Sequence, residues 1–242
     1  MAGNGGDSMA TDRLMARGPT TTRRSQALHR IRPGGGPDDR TRWQQRKASL
    51  TREAILEAAV DSLVDTGYAG LSTNDVARRA GVSRGAMHHH FASRADLVEG
   101  LIEHVFYHRM RQFLDDFLAR LKQAPAGEDP YRMAMELHWR SVQSREYGAF
   151  LRLAVAARSD EALAAIFTPA ARLYDEIWLG EMHHAFPQWR EAPDLMRIAN
   201  DVTQAVHAGL LINGATWGDA RMAAVLERAA ILVEDLAREA RG

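Results

Sequence analysis

Ala80-Gly81-Val82-Ser83 joins two short segments, and few folds meet the demands of that junction. Upstream, Ser72 and Asp75 have the spacing of a capping box, with Asp in place of the usual Glu, so a helix starts there. That helix buries Val76, Ala77 and Ala80. Gly81 ends it, because a residue without Cβ takes the left-handed turn at a helix end. Ser83 caps a second helix that runs through Met87 to Phe91. Small residues at Ala77 and Ala80 let the two helices cross closely, and Val82 plugs the angle between them. Two helices joined by a tight glycine turn make a helix-turn-helix. In such units the second helix enters the DNA major groove while the first crosses the backbone.

A longer helix precedes the pair. Ile55, Leu56, Ala59, Val60, Leu63 and Val64 share one helical face, and Gly67 ends it. The whole stretch 51–97 resembles the DNA-binding domain of the tetracycline-repressor (TetR) family of bacterial regulators. The residues that carry the resemblance are Ile55, Ala59, Gly67-Tyr68, Ser72, Val76-Ala77, Ala80-Gly81-Val82-Ser83, Gly85, His90-Phe91, Ser93 and Leu97. His88 stands where the family usually has Tyr, and Arg94 where it usually has Lys. Both replacements still donate to phosphate.

The expected DNA contacts follow from chemistry and position. Ser72 and Ser83 offer amides and hydroxyls at helix starts, which suit phosphate. Arg84 is suited to the O6 and N7 edge of guanine, and Gly85 and Ala86 let the backbone approach bases or a thymine methyl. His88, His89, Arg94 and Lys47 complete the set. Arg78 and Arg79 are weaker candidates, one of them serving only to solvate the outer face.

Charge distribution supports a nucleic-acid partner even though the formal net charge is zero. Residues 1–50 hold ten Arg/Lys against four Asp/Glu, whereas residues 99–242 hold sixteen against twenty-one. The basic end therefore lies beside the helix-turn-helix and the acidic end far along the chain, a polarity that orients a molecule on DNA. Residues 1–46 carry Gly34-Gly35-Gly36-Pro37 and no apolar period, so they are expected to form a disordered basic arm. Arg40, Arg42, Arg46 and Lys47 are its part nearest the motif. Absence of cysteine excludes disulfides and thiolate metal sites and fits the cytoplasm. No run of eighteen apolar residues indicates a membrane span, and no apolar signal core opens the chain.

Beyond residue 97 the helical period continues without two-residue alternation, giving an all-α class with about nine helices. Long helices are expected over 93–121, 195–215 and 221–240, with shorter ones between, and Pro169 should kink or split the helix that contains it. Residues 47–97 thus form the helix-turn-helix domain and 98–242 a larger helical domain. The resemblance implies that this second domain binds an effector and dimerises through its last two helices. On those helices the seam would use Val202, Val206, Gly209, Val225, Ala229, Val233 and Leu236. An effector pocket of small lipophilic or aromatic preference would draw on Phe106, Met110, Phe113, His138, Trp139, Phe150, Tyr174, Trp178 and His207. The implied activity is that of a homodimeric regulator, most simply a repressor, on a palindromic double-stranded DNA operator. Effector entry would tilt the 93–121 helix and shift the two reading heads. A ligand-independent architectural DNA-binding protein is the alternative.

Two other chemistries are weighed and set aside. Gly81-Val82-Ser83-Arg84-Gly85 matches GxSxG, but that nucleophile elbow needs a buried strand before it, and here a capped helix precedes it. No enzyme and no cofactor is expected. Consecutive His88-His89-His90 point about 100° apart on a helix and cannot converge on one ion. His104 and His108 are better spaced, with His138 as a possible third, but without an HExxH pattern no metal is assigned.

Overall fold

The structure is a computed structural model that describes residues 39–125, 128–186 and 189–240, with side chains from residue 48 onward. Among the described residues all regular structure is helical. The helices are α1 (Asp39–Gly70), α2 (Thr73–Arg79), α3 (Arg84–His90), α4 (Arg94–Gln123), α5 (Pro130–Val142), α6 (Arg145–Ala156), α7 (Glu161–Ala185), α8 (Pro193–Trp217) and α9 (Asp219–Glu239). They group into two compact units, one of residues 39–109 and 144–175 and the other of residues 110–143 and 176–240.

In the first unit, Ile55, Leu56, Ala59, Val60 and Leu63 on α1 are fully buried, as their spacing requires. Val76, Met87, Phe91, Leu97 and Leu101 close the same core, and Ala149, Leu153 and Leu163 extend it. Gly67 takes φ 71° and breaks α1 there, leaving one further turn before Leu71. The N-terminal end of α1 departs from expectation. Residues 39–46 are helical instead of part of a disordered arm, because adding residues to a helix already nucleated by its packed face costs little. The rest of the arm, residues 1–38, lies outside the described residues.

In the second unit α8 packs along α9, and both pack on α5. Gly218 at φ 74° makes the turn between α8 and α9. Arg132 on α5 grips α9 through Glu227 at 2.8 Å and Glu234 at 3.0 Å. Most helix starts follow the capping logic, for example Asp129 accepting from the Tyr131 amide at 2.8 Å and Asp160 from the Leu163 amide at 2.8 Å. Pro169 does not split α7, which runs unbroken through it. Buried side chains on both sides, Leu163 and Phe167 before it and Ile177 and Trp178 after it, outweigh the one lost hydrogen bond.

Candidate functional site

The helix-turn-helix forms as its residues demand. Ser72 accepts from the Asp75 amide at 3.2 Å and Ser83 from the Ala86 amide at 3.1 Å, which fixes the starts of α2 and α3. Gly81 turns at φ 65°, and the Val82 amide donates to Ala77 O at 3.0 Å. Met87 holds α3 to the core, fully buried, while Arg84, Gly85, His88 and His89 stay exposed and Ala86 is half-covered. One face of α3 is thus anchored and the other offers a cation, two imidazoles and bare backbone.

The carboxylate of Asp75 behaves differently from the expected capping box. It accepts from Ser62 Oγ at 2.9 Å and pairs with Arg79 at 2.7 Å and with Arg78, tying α2 to α1. Its acidity is raised, with Ser62 the largest cause and Arg79 and Arg78 adding to it against a desolvation cost. Arg79 also reaches Asp65 at 2.6 Å, so Arg79 is structural and Arg78 more exposed. A reciprocal capping box does occur, unforeseen, at α4: Asp96 N donates to Ser93 Oγ and Ser93 N to Asp96 Oδ2, both at 3.1 Å.

Arg94, expected to face phosphate, is largely engaged within the chain. Its guanidinium donates to Leu71 O at 3.1 Å, Tyr68 O at 2.8 Å and Tyr68 Oη at 3.1 Å, and its Cζ lies 4.4 Å from the centre of the Tyr68 ring. Two of its five donors remain. It stitches the first turn of α4 to the chain that leaves α1. The Lys47 side chain falls outside the described residues.

The second unit holds a cavity of about 80 Å³ that is partly open to solvent. That exceeds the ~10–15 Å³ a single water needs, and is roughly half of an apolar cavity that admits benzene. Phe113, His138 and Trp178, expected at an effector pocket, are among the residues that line it. Tyr131, Met135, Phe186, Trp189, Met196 and Asn200 also line it and were not on the expected list. Asn200 apart, their signal was present only as aromatic and Met positions at helical spacing, which core residues share. Asn200 accepts from Trp178 Nε1 at 2.7 Å, placing a polar group in an aromatic wall. Behind His138 lies fully buried His207, with Nδ1 2.8 Å from Nδ1 of His138. Burial pushes the His207 pKa down to about 4, so its ring is neutral near pH 7. Trp139 packs on it at 5.5 Å between ring centres, and Met110 is fully buried.

The remaining expected pocket residues belong elsewhere. Phe106, Phe150 and Tyr174 form an aromatic cluster in the first unit, with Phe106 stacked on Tyr174 at 4.8 Å. Arg109 lies on that cluster, its Cζ 4.1 Å from the Phe150 centroid and 4.5 Å from that of Tyr147. Helical spacing gave these residues a common character but no common destination.

Of the seven seam residues, Ala229 and Val233 are buried within the single chain, and Val233 lines the cavity. They are corrected to core positions, because the face of α9 that holds them is the one packed inward. Val202, Val206, Gly209, Val225 and Leu236 are half-covered. The large apolar side chains left exposed on these two helices are Ile198, Ile212 and Leu232. No helix among the described residues is long and apolar enough to cross a membrane.

Comparison with known proteins matches this geometry. Residues 55–101 match the family described as bacterial regulatory proteins, tetR family. The chain is 32% identical over 125 residues to the uncharacterized HTH-type transcriptional regulator Mb2936c of Mycobacterium bovis, covering 51% of this chain and 60% of that protein. It is 30% identical over 143 residues to the HTH-type transcriptional regulator CymR of Pseudomonas putida, covering 57% of this chain and 68% of CymR. Its fold is similar to that of the multidrug binding protein EbrR complexed with ethidium, with TM-score 0.56 and 22% identity over 77% of this chain and 97% of that one. The chain belongs to the TetR family of bacterial regulatory proteins.

Proposed function

We propose that the chain is a cytoplasmic repressor that binds a palindromic operator as a homodimer and leaves it when a small lipophilic or aromatic effector enters the second unit. The observation that carries this reading is that α4 bears both Arg94, bonded to the Tyr68–Leu71 turn, and Phe113, in the cavity wall. One helix thus belongs to the DNA-reading unit at its start and to the cavity wall further on.

On DNA, Arg84 reads a base and Ser72, Ser83, His88 and His89 hold phosphates, with half-site centres roughly 34–36 Å apart when one helical turn separates them. Exposed Ile198, Ile212 and Leu232 on α8 and α9 supply the apolar face for a second copy. The effector is largely apolar, as the aromatic wall requires, and carries one hydrogen-bonding group for Asn200 or the His138 ring. Since the cavity is about 80 Å³, roughly half of one that admits benzene, an aromatic ligand must widen it, and that widening is how binding selects one state over another.

Gel-shift titration of DNA from upstream of the chain's own reading frame, with and without a panel of lipophilic aromatic compounds, tests the reading. Specific binding relieved by one class of compound supports it. Specific binding that no compound alters, with no ligand-induced thermal shift, favours a ligand-independent DNA-binding protein.

A further inference from the structure

Within the first unit, two pairs of side chains at i, i+4 spacing face each other across a helix–helix contact. Glu53 and Glu57 come from α1, and His104 and His108 from α4. One ligand atom from each falls within 4.8 Å of all the others. His104 Nε2 is 2.9 Å from Glu57 Oε1, His104 Nδ1 is 3.9 Å from Glu53 Oε1, and His108 Nε2 is 3.2 Å from the same Glu53 oxygen. In a tetrahedral zinc site with bonds of ~2.0–2.1 Å, neighbouring ligand atoms are roughly 3.3 Å apart. Ligation through one ring nitrogen of each histidine would draw the four atoms from within 4.8 Å of one another to that spacing by rotation of the side chains.

We propose that Glu53, Glu57, His104 and His108 form a divalent transition-metal site, of the zinc class, that pins α1 to α4. Two imidazoles with two carboxylates select against Mg²⁺ and Ca²⁺, which take oxygen ligands, and suit Zn²⁺. Metal sites built from paired positions on facing helices are an established way to use a helical core. The outer residues support the ligands as metal sites require. Arg145 on α6 bonds the second oxygen of Glu57 and holds Asp61 at 2.7 Å, so the Glu57 carboxylate is oriented from behind. His104 is almost fully buried while Glu53 stays open to solvent, giving a fixed ligand and an entry side. His138, considered from sequence as a third histidine, bonds His207 instead. The site is separate from the cavity and from the DNA-facing residues, and it stands whether or not the effector reading holds.

The test is isothermal titration of the untagged full-length chain with Zn²⁺, paired with thermal melting. One Zn²⁺ per chain is expected, with micromolar or tighter affinity. At a free concentration about a hundred times Kd the melting temperature should rise by roughly 5–10 °C. His108→Ala and Glu53→Gln, both at accessible positions, should each weaken binding by at least about tenfold, and replacement of His88, His89 and His90 by Ala should not. Co²⁺ substitution should give the intense visible absorption of a tetrahedral site. Absence of stoichiometric binding overturns the proposal. So does affinity that His108→Ala leaves unchanged, affinity that the triple replacement removes, or the weak spectrum of six-coordinate cobalt.

Discussion

His138 and His207 meet nitrogen to nitrogen, Nδ1 to Nδ1 at 2.8 Å, so one ring donates and the other accepts, and the pair cannot keep that bond when both are doubly protonated. His207 Nε2 has no hydrogen-bond partner among the described residues. A neutral His207 is therefore part of the folded second unit. Its pKa is lowered from 6.5 to about 4 by burial, so the unfolded chain binds the extra proton first as pH falls. Its contribution is full above pH 6.5 and is lost progressively between pH 6.5 and 4, up to about 3 kcal/mol. Glu181, pushed up by burial, acts with the opposite sign in an overlapping range. The check is thus a difference: His207→Gln should melt with a shallower acid limb than the unsubstituted chain over that window. Identical slopes would contradict the assignment.

Arg94→Ala should lower stability by about 1–2 kcal/mol, through loss of three hydrogen bonds and the stack on Tyr68. Arg94→Lys should fall between, since a single ammonium cannot reach three acceptors in a fork. Chemical denaturation of both variants measures the order. A side chain serving only phosphate would leave stability unchanged.

Gly100 lies where α4 passes Phe91. A Cβ there would stand 2.8 Å from Phe91 Cε1, in the buried core, and 3.0 Å from Arg52 Nη2. Overpacking of this kind costs ~1–3 kcal/mol, and alanine returns about 1 kcal/mol of helix propensity. Gly100→Ala should therefore destabilise by about 1 kcal/mol in a denaturant melt. A stabilised variant would show that the Phe91 ring yields freely.

The motif was legible because its demands are local: Gly81 must turn, Ser83 must cap, and Met87 must point inward while its neighbours do not. Helix limits followed for the same reason, with α8 and α9 found within a few residues of their expected ends. What sequence could not give was the partner of each group. Asp75 has capping spacing but turns to Ser62 on α1, and Arg94 looks like a phosphate donor but closes on Tyr68. The expected pocket residues likewise divide between the cavity and the Arg109 cluster, since period assigns a face and not what the face meets. Ala199 and Asn200, small and polar, carried no signal for the cavity they line.

Ala199 gives a way to separate the two proposed activities, ligand binding and DNA binding. It is buried and lines the cavity, so Ala199→Leu should fill space that a ligand needs. DNA affinity should be retained, while quenching of tryptophan fluorescence by aromatic compounds, with Trp178 and Trp189 in the wall, should weaken by tenfold or more. Equal quenching in both proteins would move the ligand site elsewhere.

If α3 presents Arg84 to bases from a two-fold assembly, in vitro selection from random duplex with the whole 242-residue chain will reveal it. Paired, inverted half-sites should be enriched. Arg84→Ala should bind the selected site with a loss of about 1–3 kcal/mol and relaxed choice at one position in each half-site. Enrichment of no sequence over random duplex, or an Arg84→Ala protein with unchanged affinity and unchanged preference, would contradict it.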